Sequence, residues 1–332
     1  MIDPASWHVY AIDMPLRFRG ITQRQGMIAR GQAGWTEWSP FLDYHAPETA
    51  AWLRAAEEVA EQGYPAPLRD RIEVNVTVPA TDPATAHRLV TGSRCRTAKV
   101  KVAEPGQSLA DDLARVEAVR DALGPDGKIR VDANGAWSVD EGERALRQLA
   151  HYDLEYAEQP CHSVEELADV RRRLARWDVL IAADESIRRT EDPYLVKRLE
   201  AADVAVLKVQ PLGGVRACLR LAEDLGLAVV VSSAIETSVG LRAGIALAAA
   251  LPQLPYACGL NTAPLLAADV VTDPLLARDG WIEVRDLTVD EQALRQTSAD
   301  QETTTRWRGR LVAASRAVHD RTWRCSPGAV GV

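Results

Sequence analysis

Five charged side chains stand near the ends of five separate apolar segments of the chain. The segments cover residues 97–102, 128–134, 154–160, 180–186 and 204–210. In chain order they contain Lys101, Asp132, Glu158, Asp184 and Lys208. A charge is costly to bury in a strand unless it pairs with another charge or binds a metal ion. Three carboxylates between two lysines therefore indicate a divalent-cation site flanked by two acid/base groups.

The types of these residues favour one kind of chemistry. Oxygen ligands favour a hard cation such as Mg²⁺ over zinc, and no histidine falls at a predicted strand end. A partly desolvated lysine near other cations has a lowered pKa, so it can act as a base near neutral pH. A metal bound to a substrate carboxylate stabilises the negative charge that forms when the adjacent carbon loses a proton. The expected reaction is proton abstraction alpha to a carboxylate.

Taken singly, each of these residues has an ordinary structural interpretation. An Asp or Glu at a strand end is more often a helix N-cap or one half of a surface salt bridge. Lys99 and Lys101 alone could face outward from an edge strand. Five such residues in successive units are difficult to explain in this way, and we interpret the set as one site.

Three further polar residues accompany this set. Lys99 shares the face of Lys101 by strand alternation, either as an ion-pair partner or with a direct role. Glu185 follows Asp184 and points to the other face, so we interpret it as a supporting residue rather than a ligand. Asn134 either hydrogen-bonds near the metal site or caps the following turn.

Apolar β-rich segments recur along the chain at a nearly constant interval, with helical patterns between them. Beyond the five segments above, they cover residues 72–78, 227–233 and 256–260. Eight strand–helix units in series predict a (β/α)8-type barrel over residues 70–285. A doubly wound sheet shares this alternation, but it would carry a Gly-rich fingerprint after its first strand, and none is present. In a barrel the carboxyl ends of the strands meet at one mouth, so the three carboxylates are expected side by side.

The two ends of the chain do not follow this repeat. Residues 1–69 predict a small α+β domain. Its predicted elements are strands at 7–16 and 26–38, a polar hairpin tip at 19–26 and a helix at 47–62. The polar segment 286–332 is expected to pack back on the cap or the barrel through a helix that contains Trp307.

Two segments near the end of the barrel are candidates for substrate contacts. Ser232 and Ser233 open the segment 232–240, whose hydroxyl and backbone N–H groups could hold a substrate carboxylate at a helix N-terminus. Plain helix capping explains the same serines equally well. Gly259 and Asn261 end the eighth unit and could act in a similar way.

Composition narrows the class of partner. The formal net charge is −8 over 332 residues and no Lys/Arg-rich block is present, which argues against nucleic acid. Five dispersed cysteines, the last of them Cys325, indicate reduced thiols rather than a disulfide framework. No signal peptide is predicted, and the most apolar stretch, 239–251, contains Arg242 and is too short to span a membrane. We therefore predict a cytoplasmic protein with a small-molecule carboxylate substrate and no obligate protein partner.

The ordered motifs of the barrel resemble those of the muconate-lactonizing subgroup of the enolase superfamily. They are Lys-Val-Lys at 99–101, Asp-Ala-Asn at 132–134, Glu-Gln-Pro at 158–160, Asp-Glu-Ser at 184–186 and Lys-Val-Gln-Pro at 208–211. The resemblance implies a modified (β/α)7β barrel, capped by an α+β domain built from the N-terminal segment and part of the C-terminus. It also implies Mg²⁺, for which Mn²⁺ can substitute, held by Asp132, Glu158 and Asp184.

Within this subgroup the chain most resembles the o-succinylbenzoate synthase family of menaquinone biosynthesis. The features that carry this resemblance are the short N-terminal region, the segment 22–26, the order Arg130-Val-Asp132 and the segment 232–240. By this resemblance Arg24 contacts substrate and Arg130 supports the site.

The family's reaction is a syn dehydration of 2-succinyl-6-hydroxy-2,4-cyclohexadiene-1-carboxylate through an enolate, so the resemblance implies a hydro-lyase. Lys101 would remove the alpha proton and then donate a proton to the departing hydroxyl. Lys208 would lie across the ring and stabilise the enolate.

Other functions stay open at this point. N-succinyl-amino-acid racemases and muconate cycloisomerases share the family's chemistry, and a racemase needs both lysines, which this chain has. A dipeptide epimerase usually places acidic residues at the eighth strand end, where Gly-Leu-Asn-Thr offers none. A non-catalytic Mg²⁺-binding scaffold is a further alternative, against which the retention of Lys101 and Lys208 argues. A doubly wound nucleotide-binding protein would need a phosphate loop, which the sequence lacks.

Overall fold

A parallel sheet of seven strands, curved as in a barrel, occupies the centre of the computed structural model, which describes residues 2–190 and 192–319. Its strand order is β5-β6-β7-β8-β9-β10-β11. The strands are β5 (Val76–Val78), β6 (Thr97–Lys101), β7 (Lys128–Asp132), β8 (Leu154–Glu158), β9 (Ile181–Ala183), β10 (Val204–Leu207) and β11 (Ala228–Val231). Between and after them run α2 (Pro83–Ser93), α3 (Leu109–Leu123), α4 (Val139–Leu149), α5 (Val164–Leu174), α6 (Glu185–Arg188), α7 (Leu195–Arg198), α8 (Val215–Leu225) and α9 (Ser238–Ala250).

The segment after α9 closes the sheet into a barrel. Gly259 forms a parallel bridge with Ser232 beyond β11, and Cys258 forms one with Val74 before β5. Backbone bonds from Gly259 N to Val231 O (2.8 Å) and from Asn75 N to Cys258 O (3.0 Å) support this closure. The eighth position is thus filled by a short bridging segment, and the predicted (β/α)7β barrel with a capping domain is confirmed.

The local sequence explains these elements. The barrel strands are nearly continuous apolar runs because helices cover their outer face and their inner face is buried, as parallel sheets require. Ser108, Ser138 and Ser163 cap α3, α4 and α5, each with an acidic residue at the third helical position that completes a capping box.

The cap consists of an antiparallel sheet of order β1-β2-β3 and a helix. Its strands are β1 (His8–Phe18), β2 (Ile21–Arg30) and β3 (Trp35–Trp38), and α1 (Ala46–Gln62) follows. A short antiparallel pair joins β4 (Arg71–Glu73) to β12 (Trp281–Glu283), and α10 (Glu291–Gln296) and α11 (Gln301–His319) are the last two helices of the described residues. Trp307 of α11 is fully buried and packs edge-on against Trp38 of β3, with ring centroids 5.4 Å apart.

The structure corrects two predictions for the cap. The polar segment 19–26 is not a long hairpin tip, because β1 continues to Phe18 and β2 starts at Ile21. Only Arg19 and Gly20 form the turn, both with positive φ (50° and 75°), as a two-residue hairpin favours. The predicted strand 26–38 is two strands, because the chain turns between Gly31 and Gly34, where Gly34 has a φ of 148°.

Two expectations from composition can be compared with the described residues. Cys95, Cys161, Cys218 and Cys258 are buried free thiols, whereas Cys325 lies outside the described residues. None of the helices in the described ranges has the length and apolar character that crossing a membrane would require.

Candidate active site

Three carboxylates lie side by side where β7, β8 and β9 end. Asp132 is the last residue of β7, Glu158 is the last residue of β8, and Asp184 directly follows β9. The strand register pairs Asp132 with Glu158, and Glu158 with Ala182. The exposed fractions of the three residues are 1%, 1% and 0%. This is the arrangement expected from the order of the apolar segments.

Three lysines contact these carboxylates. Lys99 Nζ lies 2.9 and 3.1 Å from the two oxygens of Glu158 and 3.3 Å from Asp132 Oδ2. Lys101 Nζ donates to Asp132 Oδ2 at 2.5 Å and to Asn134 Oδ1 at 2.7 Å. Lys208, directly after β10, donates to Asp184 Oδ2 at 2.6 Å. Lys99 is thus a buried ion-pair partner, as one of its two interpretations required.

Burial and charge act on these groups in opposite directions. Burial disfavours the ionised form of Asp132, but Lys101 and Lys99 outweigh it and hold the pKa of Asp132 well below its usual range. Burial, reinforced by the charge of Asp132, raises the pKa of Glu158 to about 7. The pKa of Lys208 is lowered, chiefly by burial and against the attraction of Asp184.

The donor set fits a hard divalent cation, since it consists of three carboxylates without a thiol or imidazole. As arranged, no three His, Cys, Asp or Glu side chains in residues 2–190 and 192–319 form a group that could hold a metal ion. The reason is local, because ammonium groups of Lys99, Lys101 and Lys208 contact the carboxylate oxygens. Cation binding therefore requires these ion pairs to rearrange.

A cavity of about 150 Å³ lies over this cluster, between barrel and cap. Of the predicted site residues, those that line it are Lys99, Lys101, Asp132, Asn134, Lys208, Ser232, Ser233 and Gly259. The cap contributes Arg17, Phe18, Arg19 and Gly20 at the hairpin turn, together with Phe41, Tyr44 and Trp52. Lys101 Nζ lies 5.6 Å from the centre of the Phe18 ring. The cavity thus places a cap aromatic ring next to a barrel lysine.

Comparison with known proteins fixes the family. Residues 82–288 match the model described as enolase C-terminal domain-like, and residues 9–60 match the enolase N-terminal domain-like model. The chain belongs to the enolase superfamily. The predicted membership is confirmed, and enzymes of this superfamily generally use Mg²⁺.

Curated relatives of this superfamily member cover nearly its whole length. A protein of Thermobifida fusca (strain YX), named o-succinylbenzoate synthase, is 61% identical over 308 residues, or 93% of this chain and 95% of the relative. A protein of the same name from Mycolicibacterium smegmatis is 49% identical over 92% of this chain and 94% of its own. The muconate lactonizing enzyme of Pseudomonas fluorescens, solved with muconolactone, shares the fold with a TM-score of 0.74 at 24% identity, over 89% of this chain and 98% of the other.

Two predicted substrate contacts lie elsewhere in this enolase-superfamily chain. Arg24 is 2% exposed and lies outside the cavity lining, because its guanidinium donates to the backbone carbonyls of Gln25, Ser39, Ala234 and Ile235. Asn261 also lies outside the lining, and its amide nitrogen faces Cys95 Sγ at 3.8 Å. Its neighbour Thr262 lines the cavity instead, bonded to Ser233 Oγ at 2.7 Å.

The two predicted supporting residues sit behind the cavity. Glu185 accepts from Asn134 Nδ2 at 3.2 Å. Arg130 is fully buried, donates to Glu155 Oε2 at 2.5 Å and lies 4.7 Å from the centre of the Tyr156 ring. Neither side chain lines the cavity.

The helix N-terminus predicted to hold a substrate carboxylate has a different occupant. Helix α9 begins at Ser238, with Thr237 as its N-cap, so Ser232 and Ser233 precede the helix rather than open it. The backbone N–H groups of Thr237 and Gly240 donate to the carboxylate of Glu37, which belongs to the cap. The serines line the cavity from the loop before α9.

Sequence reasoning missed Arg188, which lines the cavity between the third carboxylate and the cap. Its Nε lies 2.7 Å from Asp184 Oδ1, and its Nη1 donates to the hydroxyl of Tyr44. The signal that could have found it is its i+4 spacing from Asp184, because side chains at this spacing meet on one helix face.

Proposed function

We infer that the chain is an o-succinylbenzoate synthase, a hydro-lyase that dehydrates 2-succinyl-6-hydroxy-2,4-cyclohexadiene-1-carboxylate to 2-succinylbenzoate, as in menaquinone biosynthesis. The observation that carries this inference is 61% identity over 93% of the chain to a relative of that name, whose own length is 95% covered. The cavity supports it, since Lys99, Lys101, Lys208 and Asp132 all line the space over the carboxylate cluster.

The two lysines take different parts in the proposed reaction. Neutral Lys101 accepts the proton from the carbon next to the substrate carboxylate, and the C–H electrons pass into the enolate. Its protonated Nζ then donates to the departing hydroxyl as the C–O bond breaks, so water leaves from the face that lost the proton. Asn134, whose Oδ1 lies 2.7 Å from Nζ, supports the ammonium form between these steps. Lys208 stays protonated and stabilises the enolate electrostatically.

Asp132, Glu158 and Asp184 would hold Mg²⁺ or Mn²⁺, which supplies positive charge to the substrate carboxylate as it becomes an enolate. Before the cation binds, the buried lysines and Arg188 hold the three carboxylates through ion pairs. Ser232, Ser233 and Gly259 contact substrate from the loops that line the cavity, with Thr262 added to the predicted set. Phe18 and Phe41 cover its apolar parts and exclude water.

Direct assay tests this function. Purified protein with Mg²⁺ and the cyclohexadiene hydroxy-acid should remove the diene absorbance rapidly and yield 2-succinylbenzoate. A folded, metal-loaded protein without this activity would contradict the proposal. Exchange of the alpha proton of N-succinyl amino acids in D2O would then test the racemase alternative.

The hairpin turn of the cap should become ordered over bound product. Arg19 lies 4.0 Å from the centre of the Phe41 ring and pairs with Asp43 at 3.3 Å, which holds the turn over the cavity. We expect slower amide hydrogen exchange in residues 19–26 when 2-succinylbenzoate and Mg²⁺ are added, because closure excludes water. The exposed helix α10 provides a control peptide whose exchange should stay unchanged. Equal exchange at 19–26 with and without product would count against this closing role.

The remaining assignments are proposals of the same kind. The capping domain spans 1–69, the catalytic barrel spans 70–285, and the segment 286–332 packs back on them, although its residues 320–332 lie outside the described residues. The chain works in the cytoplasm on a small carboxylate, without nucleic acid, membrane or an obligate protein partner.

A further inference from the structure

One cap carboxylate is buried at the junction with the barrel and takes no part in the chemistry described above. Glu37 lies in β3 and is 3% exposed. Its Oε1 accepts from the hydroxyls of Tyr10 and Ser39, both at 2.7 Å, within the cap. Its Oε2 accepts from Thr237 N at 3.2 Å, Thr237 Oγ1 at 2.5 Å and Gly240 N at 3.1 Å, in the barrel. One oxygen thus faces the cap and the other faces the first turn of α9.

The first turn of α9 is built to receive this carboxylate. The first N–H groups of a helix lack partners within the helix and carry partial positive charge, so a carboxylate there is stabilised. At Gly240 an added Cβ would lie 2.9 Å from Glu37 Cδ, closer than real contacts allow. The absence of a side chain at Gly240 therefore permits the approach of Glu37.

The loop before α9 is held to the cap at a second point. Arg24 of β2 donates from Nε to Ile235 O at 2.9 Å and from Nη2 to Ala234 O at 3.2 Å. Both of these loop residues line the cavity, as do Ser232 and Ser233 before them. Glu37 and Arg24 thus hold the C-terminal end and the middle of one cavity-lining loop.

The same cap strand also reaches the segment that follows the second lysine. Ser39 N donates to Gln210 Oε1 at 3.1 Å, and Gln210 Nε2 donates to Ser39 Oγ at 3.3 Å. Ser39 Oγ in turn donates to Glu37, and Gln210 follows Lys208 by two residues. A substitution at Glu37 can therefore alter the conformation of two segments, the loop 232–236 and the segment that follows Lys208.

We propose that Glu37 is a positioning residue, which fixes the loop 232–236 against the cap and thereby sets the substrate-contacting conformation of Ser232 and Ser233. It touches neither the substrate nor the reacting lysines, so it acts on binding through the loop. The inference rests on the proposed function only where turnover is the readout, because the conformation of the loop can be measured in the protein alone.

Opposing effects act on the ionisation of the Glu37 carboxyl. Burial raises the pKa of its carboxyl to about 7, against hydrogen bonds from Thr237 and Ser39. The charged or titratable groups that face it are Tyr10 on β1, Arg24 on β2 and Glu236 on the loop itself. Among residues 2–190 and 192–319 this buried carboxyl has no ion-pair partner, which indicates a requirement for its acceptor oxygens.

Two substitutions at Glu37 separate positioning from mere packing. Glu37→Leu removes every acceptor, so hydrogen exchange at 232–240 should accelerate in the free protein and KM should rise about tenfold or more, with a smaller change in kcat. Glu37→Gln keeps one oxygen for the N–H groups of Thr237 and Gly240, while its amide can donate to the hydroxyls of Tyr10 and Ser39. Its KM and exchange should therefore stay near those of the unmodified protein.

Two further variants complete the test. Asp290→Leu removes a carboxylate that caps α10, away from the cavity, and should leave KM unchanged. Gly240→Ala would place a Cβ 2.6 Å from Glu236 Cβ and 2.9 Å from Glu37 Cδ, so it crowds the Glu37 carboxylate and the loop residue Glu236 together. It should reproduce the KM increase if Glu37→Leu does not fold. Normal exchange at 232–240 in a folded Glu37→Leu or Gly240→Ala protein would overturn the proposal, whatever the substrate proves to be. A Glu37→Gln variant as impaired as Glu37→Leu would overturn it too. Faster loop exchange in a protein inactive on the proposed substrate would support positioning and reject the proposed function alone.

Discussion

Lys101→Ala is expected to lower kcat by about 10²–10⁴-fold, the contribution of a general base, while the fold stays intact. Lys101 ends β6, lines the cavity and is one of the two lysines at its floor that could exchange a proton with substrate. Alanine keeps the backbone of the strand end and removes the only atom that accepts the proton. The loss should appear in kcat and kcat/KM together, because the interaction is made in the transition state.

The control for this variant is Lys128→Ala. Lys128 is an exposed lysine at the first position of β7, at the end of the barrel opposite the cavity, and its removal should leave turnover unchanged. Circular dichroism and product binding should be retained in Lys101→Ala. Residual turnover within about tenfold of the unmodified protein would reject Lys101 as the base.

Lys208→Ala is expected to affect the reaction differently from Lys101→Ala. Lys208 stabilises the enolate without accepting a proton in the dehydration, so the inference predicts a loss of electrostatic stabilisation only. Any exchange of the alpha proton of N-succinyl amino acids on the Lys208 face should disappear completely in this variant. Dehydration of the cyclohexadiene hydroxy-acid keeps its base, Lys101. This contrast distinguishes a one-base reaction from racemisation, which needs both lysines.

The ordered charges could be predicted from the sequence because each follows from local information. A strand reads as a short apolar run, and its last residue projects into the mouth of the barrel. Asp132, Glu158 and Asp184 end three consecutive runs, so their adjacency required only the order of the strands. No long-range contact had to be known.

The errors share a different physical origin, since they depend on contacts between distant segments. Arg24 was expected to contact substrate from the family resemblance, yet its guanidinium donates to carbonyls about two hundred positions away along the chain, at Ala234 and Ile235. Asn261 was named from its place at the end of the eighth unit, whereas its neighbour Thr262 lines the cavity. The eighth position of the barrel is held by isolated bridges rather than a regular strand, so alternation could not be applied there.

Arg188 and Glu37 were missed for a related reason. Each side chain forms a hydrogen bond between the barrel and the cap. Arg188 of the barrel bonds to Tyr44 of the cap, and Glu37 of the cap bonds to Thr237 of the barrel. Polar residues within a cap strand or a short helix are ordinary in a sequence. Their importance follows from how the cap docks over the barrel mouth, which composition and periodicity do not encode.

Removal of divalent cations should abolish turnover, and Mg²⁺ or Mn²⁺ should restore it. Three carboxylates at 1%, 1% and 0% exposure share one site, where ion pairs with lysines and Arg188 offset their repulsion. The lysines can serve substrate only after they leave the carboxylates, so a divalent cation is needed to take over their charge.

A measurement independent of turnover follows from linkage. A cation that binds only the folded protein stabilises it by about 2.7 kcal/mol at a concentration one hundred times its Kd, so Tm should rise with Mg²⁺. Asp184→Asn should abolish this rise, because it removes one of three charged ligands. Asp140→Asn, which changes an exposed carboxylate on α4, should preserve the rise.

The two measurements together decide what the carboxylate cluster does. Full activity after exhaustive chelation, with no dependence of Tm on Mg²⁺, would show that the lysine–carboxylate ion pairs are the working state of the site. Loss of activity with a Mg²⁺-dependent Tm that requires Asp184 would give a different answer. These ion pairs would then neutralise the carboxylates only in the protein without the cation. The second outcome is expected, because three buried carboxylates supply the oxygen ligands that a hard divalent cation prefers.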